Sequence, residues 1–201
     1  MEASKSKHRH FVIYKPYGYL SQFISHDSKQ QSKKFLGLLH DFPEGTMAIG
    51  RLDEKSEGVL LLTTDGKTSD HVNSGKVEKE YYAQVDGDIS EEAIQQLKTG
   101  LEIGFEGEKY LTKPCKAHRL DGVPHLPERS RKIRDDRHGP TSWVSITLTE
   151  GKFRQVRKMT SAVGFPTLRL VRVRVGGFHL SALMQIGGVI EVDKLMEEDF
   201  D

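Results

Sequence analysis

A chain of 201 residues, 36% of them hydrophobic, is long enough to bury a proper core as one large domain or two small ones. Thirty Lys and Arg against 29 Asp and Glu leave a formal net charge of +1, which excludes an indiscriminate polyanion binder as the simple reading. The single cysteine, Cys115, excludes an internal disulfide and a cysteine-based metal site, and no segment has the apolar core of a signal peptide or the length of a membrane span. The expectation is a cytoplasmic monomer with no membrane partner.

In chain order, residues 1–10 are polar and basic without periodicity and read as a flexible arm. Phe11-Val12-Ile13-Tyr14 opens the first strand, and Lys15-Pro16-Tyr17-Gly18 ends it in a turn, because proline donates nothing to a ladder and glycine tolerates positive φ. Residues 32–39, with Phe35, Leu38 and Leu39, predict a short helix closed before Pro43. Residues 50–66 then read GRLDEKSEGVLLLTTDG. Here a turn over 54–58 leads into Val59-Leu60-Leu61-Leu62, an apolar run bounded by Gly58 and by the hairpin-type pair Asp65-Gly66. So short a run between turn signals predicts a strand buried on both faces. Asp53 therefore hangs from a rigid mount, as a reacting group must, although an Asp before a turn also serves as a simple turn cap.

Residues 79–86, KEYYAQVD, alternate as a strand, and Ser90 caps a helix whose stripe is Ile94, Leu97 and Leu101, with Gly100 weakening its end. Residues 119–140 hold three prolines, six Lys or Arg and four Asp or Glu. They read either as a flexible surface loop or as a basic insertion that orders on RNA through Arg129, Arg131, Lys132, Arg134 and Arg137. Residues 144–148 alternate as a strand, 153–163 read as a helix, 168–175 alternate apolar residues with arginine, and 196–201 form an acidic tail. Strands dominate, so the fold class is α+β, a large mixed and mostly antiparallel sheet with flanking helices and loops.

Charge is segregated along this order. Residues 1–34 carry seven basic and two acidic groups and residues 150–175 seven and one, whereas 35–118 carry nine and 16. Segregation of this kind can build a polyanion-binding face on a nearly neutral protein. The nine histidines show no HExxH or other zinc spacing, so no metal site is expected.

The segment GRLDEKSEGVLLLTTDG resembles the catalytic segment of the small-subunit-type (RsuA-like) family of RNA pseudouridine synthases. Lys15-Pro16-Tyr17-Gly18 and the later EGKFRQVRKM of residues 150–159 stand in the order that family requires, and the similarity runs from about Phe11 to Val192. Thr141-Ser142-Trp143 and Phe165-Pro166-Thr167-Leu168-Arg169-Leu170 resemble its E-type branch, which acts on large-subunit ribosomal RNA.

The resemblance implies a pseudouridine synthase fold around a central RNA-binding cleft, filling residues 11–195 as two intimately joined halves. Chemistry without metal or cofactor is implied, on ribosomal RNA that is naked or in an assembling particle. Many relatives carry an S4 module, and only about ten residues precede the first strand here, so recognition is expected to fall to the catalytic domain. Asp53 is the implied nucleophile or base, in a covalent or a glycal route. Tyr81 is implied to stack on the base or move a proton, in preference to Tyr82, because neighbours on a strand face opposite ways. Arg157 is implied to pair with the carboxylate and keep it ionised. Leu170 is implied to line the uracil pocket, and Arg51 is expected to fill the gap left by a flipped nucleotide.

Further RNA contacts are expected from Lys15, Arg154, Lys158, Arg169 and Arg172. Arg154 and Lys158, four apart on a helix, share a face, so Arg154, Arg157 and Lys158 are not expected to enter one small pocket together. A catalytically silent RNA-binding or ribosome-assembly protein of the same fold is the rival reading, separated by the presence of Asp53, Tyr81 and Arg157.

Overall fold

The computed structural model describes residues 8–183 and 185–195; the acidic tail and all but the last residues of the basic arm lie outside them. Among the described residues there are eleven strands: β1 His10–Lys15, β2 Met47–Ile49, β3 Glu57–Thr63, β4 Lys79–Asp86, β5 Glu102–Phe105, β6 Glu108–Leu111, β7 Lys116–Arg119, β8 Thr141–Leu148, β9 Thr167–Val175, β10 Phe178–His179 and β11 Val189–Val192. Nine of them form one sheet in the order β11-β1-β3-β9-β4-β8-β7, with β2 added to β3 and β10 to β9. Every pairing in that sheet is antiparallel except β3 with β9. β5 and β6 make a separate hairpin.

The apolar run of residues 59–62 explains why this sheet has a core on each face. Along β1 and β3, Phe11, Ile13, Leu60 and Leu62 enter one hydrophobic cluster, while Val12, Tyr14, Val59 and Leu61 enter the other. That is period-two alternation with both faces covered. Helices α2 Glu91–Thr99 and α3 Gln155–Ala162 cover the first face, and α1 Gly66–Asn73 sends Val72 into the second.

The close approach of β3 to β9 depends on a glycine. Gly58 pairs with Arg172, and a Cβ at Gly58 would sit 2.1 Å from the Arg172 carbonyl oxygen at a backbone φ of +110°. Only glycine permits both the contact and that φ. The crossing brings the chain after Asp53 against the arginine-bearing strand.

Three local expectations are corrected. Residues 32–39 make no α-helix; one 3₁₀ turn, Leu36–Leu38, stands there, with Leu36 buried and Leu38 exposed. Gly37 in so short a run removes the helical preference. Asp65-Gly66 is not a hairpin turn: the Asp65 side chain accepts from the Lys67 N–H and caps α1. That helix has only one buried apolar residue, so periodicity did not reveal it. α3 begins two residues later than expected, because Arg154 is its N-cap in the left-handed conformation, φ 53° and ψ 31°. Ser90 does cap α2, accepting from the Ala93 N–H.

Candidate active site

Asp53 stands on a loop fixed from both sides. Leu52 is buried, and its N–H and carbonyl both bond the Ser21 hydroxyl, at 2.9 and 2.8 Å. The Gly18 N–H donates to the Glu54 carbonyl at 2.8 Å, and the Ser56 N–H closes the turn on the Asp53 carbonyl at 3.0 Å. The carboxylate accepts no N–H of its own turn. Instead Oδ2 lies 3.2 Å from Arg154 Nη1 and 3.8 Å from Arg157 Nε.

Arg157 is held in its turn, Nη2 donating to the Lys55 carbonyl at 2.9 Å and to Ser56 Oγ at 3.2 Å. Burial, with Arg154 beside it, lowers the pKa of its guanidinium, and its Nε is buried without a hydrogen bond. A buried donor without a partner costs about 1–3 kcal/mol. The cost is relieved if Asp53 shifts by a few tenths of an ångström toward it.

The carboxylate opens on a cleft of about 430 Å³, the size of a small-ligand site. Arg51, Tyr81, Leu170 and Arg172 line it together with Asp53. Tyr81 and Leu170 are 9% and 5% exposed, so each shows the cleft only a small part of its surface. Tyr82 packs against the opposite core, as period two requires. One rigid carboxylate between two guanidiniums, an aromatic ring and an apolar wall can hold a flat, uncharged base and act on the sugar attached to it. Among the described residues no group of three or more His, Cys, Asp or Glu could hold a metal, and no helix is long and apolar enough to cross a membrane.

Residues 9–162 match the sequence model of the family described as RNA pseudouridylate synthase. The chain belongs to that family. It is 41% identical over 174 residues to the ribosomal large subunit pseudouridine synthase E of Xanthomonas axonopodis pv. citri, covering 86% of this chain and 88% of the relative. It is 37% identical over 180 residues to the protein of the same name from Vibrio parahaemolyticus, covering 88% and 71%. A crystal structure of a pseudouridylate synthase superposes with a TM-score of 0.70 at 26% identity, over 92% of this chain and 70% of the other.

Within this pseudouridylate synthase the predicted site residues divide. Asp53, Tyr81, Arg51, Leu170 and Arg172 line one cleft, and Arg157 approaches Asp53 from behind it without lining it. Arg154 lines the cleft with them, where it was expected on phosphates beside Lys158. That expectation placed Arg154 inside a helix; as a left-handed N-cap it leaves the helical spacing and reaches Asp53. Lys158 does not follow it. Its Nζ donates to the Gly104 carbonyl at 2.7 Å and lies over the rings of Phe105 and Phe153.

Lys15 is fully buried and donates to the carbonyls of Pro16 and Tyr19 at 2.9 and 2.7 Å, so it braces its own turn. Burial pushes its ammonium down to about 7. Arg169 is also engaged within the protein: it makes a two-pronged pair with buried Glu57, both bonds 3.0 Å, and donates to the Pro127 carbonyl at 2.7 Å.

Two residues escaped the sequence reading. Glu150 accepts from the Tyr110 hydroxyl, the Lys113 N–H and Gln155 Nε2, and so ties the β5–β6 hairpin to the bend that delivers Arg154. Lys79 lines the cleft two residues before Tyr81 on the same strand. Glu150 opens a motif that the sequence displays; Lys79 carries no signal beyond that spacing.

Proposed function

We propose that this chain converts one specific uridine of large-subunit ribosomal RNA to pseudouridine, acting in the cytoplasm as a monomer without cofactor. The observation that carries the reading is the Asp53 carboxylate beside Arg154 and Arg157 at a cleft shared with Tyr81 and Leu170. The printed names of the Xanthomonas and Vibrio relatives support the choice of large-subunit RNA.

In the reaction the C1′–N1 bond breaks, the uracil turns, a C1′–C5 bond forms, and the C5 proton leaves while N1 gains one. Asp53 serves as nucleophile at the ribose or as the base that removes a ribose proton, and the two guanidiniums beside it fix its position for either task. Tyr81 stacks against the uracil and stands ready to move the proton. Leu170 supplies the apolar wall, and Arg51, exposed at the rim, occupies the gap that the extruded nucleotide leaves in the RNA.

The substrate is tested by incubating the protein with unmodified transcripts of large- and small-subunit ribosomal RNA and mapping pseudouridine in each. A single modified position in the large-subunit transcript is expected. Modification confined to the small-subunit transcript would contradict the assignment.

A further inference from the structure

The cations of the central strands sort by their partners. Arg169 is neutralised by Glu57, and Arg174 by Glu78 and Glu80 at 2.9 and 3.2 Å. Arg172 and Lys79 have no carboxylate partner among the described residues, and both line the cleft that holds Asp53. Arg172 is 4% exposed, its Nε donating to the Val59 carbonyl at 2.8 Å and its guanidinium 6.0 Å from the centre of the Tyr81 ring. Lys79 Nζ reaches only the carbonyls of Val77 and Thr149, at 3.1 and 3.4 Å.

The sheet is built to keep these two apart from the acids. Glu80 pairs with Arg174 and Tyr81 with Arg172, so Val173 is an extra residue on β9. Neighbours on β4 face opposite sides, so this bulge sends Arg174 to the face of Glu80 and leaves Arg172 on the face of Tyr81. A regular strand would have put both arginines on one side. Lys79, two before Tyr81, stands on that same side. Burial, and after it the repulsion of Arg172, pushes the Lys79 ammonium down to about 8. A buried arginine and a half-buried lysine facing one cavity, neither paired with a carboxylate, are costly unless an anion enters between them.

On the reading that the cleft takes a uridine of RNA, we propose that Lys79 and Arg172 form a subsite for a phosphate of the nucleotide docked on Asp53. The uracil ring is uncharged and Asp53 already has two arginines, so the backbone phosphate is the anion that a bound nucleotide brings with it. The subsite fixes the nucleotide from its phosphate while Tyr81 and Leu170 hold its base.

The test uses the full chain and an unmodified large-subunit RNA transcript, with affinity measured over a series of salt concentrations for wild type, Lys79→Gln and Lys79→Arg. Loss of one phosphate contact lowers the slope of log affinity against log salt by about 0.7–0.9. Lys79→Gln is expected to show that drop and a rise in KM of about tenfold, larger than its loss in kcat, and Lys79→Arg to restore both. A merely structural lysine would change stability and leave the slope alone. An unchanged slope and KM in a folded Lys79→Gln protein overturns the subsite, whereas a wild type that modifies no RNA overturns the functional reading on which it rests.

Discussion

At the scale of single residues, the arrangement around Asp53 makes two arginines unequal. Arg157 has only 12% of its side chain exposed, while Arg154 has 38%. Water and salt screen the exposed pair far more than the buried one. The closer contact of Arg154, 3.2 Å against 3.8 Å, is therefore the weaker electrostatic brace. Replacing Arg157 with Ala is expected to lower kcat by about 100-fold, the usual cost of losing one fixed charge partner in a site. Arg154→Ala is expected to cost about tenfold or less. Single-turnover rates of the two variants decide the order, and a larger loss for Arg154→Ala would show that contact distance outweighs burial here.

At the scale of elements, β9 shows how one pattern yields several roles. Its sequence TLRLVRVRV alternates so plainly that the residues alone announce a strand. The fates of its arginines are not announced, because each depends on which acid lies across the sheet and on a bulge that has no local signal. Arg169 meets Glu57, whose carboxylate also accepts from the Tyr14 hydroxyl at 3.3 Å, and anchors Pro127 of the basic segment. Removing one member of a buried pair leaves an uncompensated charge and costs about 3–5 kcal/mol. Arg169→Met should lower the unfolding free energy by about that much in a denaturant titration while the salt slope of RNA affinity stays as in wild type. A stable Arg169→Met protein with a flattened slope would return Arg169 to the RNA-facing set.

At the scale of the whole molecule, the sheet assembles a site from segments a hundred residues apart. Sequence showed the fold class because both-face burial of β1 and β3 leaves continuous apolar runs, and it pointed to Asp53, Tyr81 and Arg157 because they sit in motifs of fixed order. The remaining contacts were hidden for physical reasons. Lys15, Arg169 and Lys158 look like free cations in a sequence, yet Lys15 folds onto carbonyls of its own turn, and Arg169 and Lys158 onto an acid and a carbonyl supplied by other segments. Residues 119–140 read either as a flexible loop or as a basic insertion that orders on RNA. In the fold, Arg134 pairs with Asp86 and Arg129 lies over the Tyr17 ring at 4.5 Å, beside the turn that holds the Asp53 loop.

The central claim is that Asp53 does the chemistry while the rest of the cleft binds, so the deciding measurement separates the two. Tritium release from large-subunit RNA labelled at C5 of uracil is compared for wild type and Asp53→Asn, with RNA affinity measured alongside. The account predicts release by wild type, none above background by Asp53→Asn, and RNA affinity within about threefold, since the isosteric change removes charge and little contact. Equal release by the two proteins would contradict it.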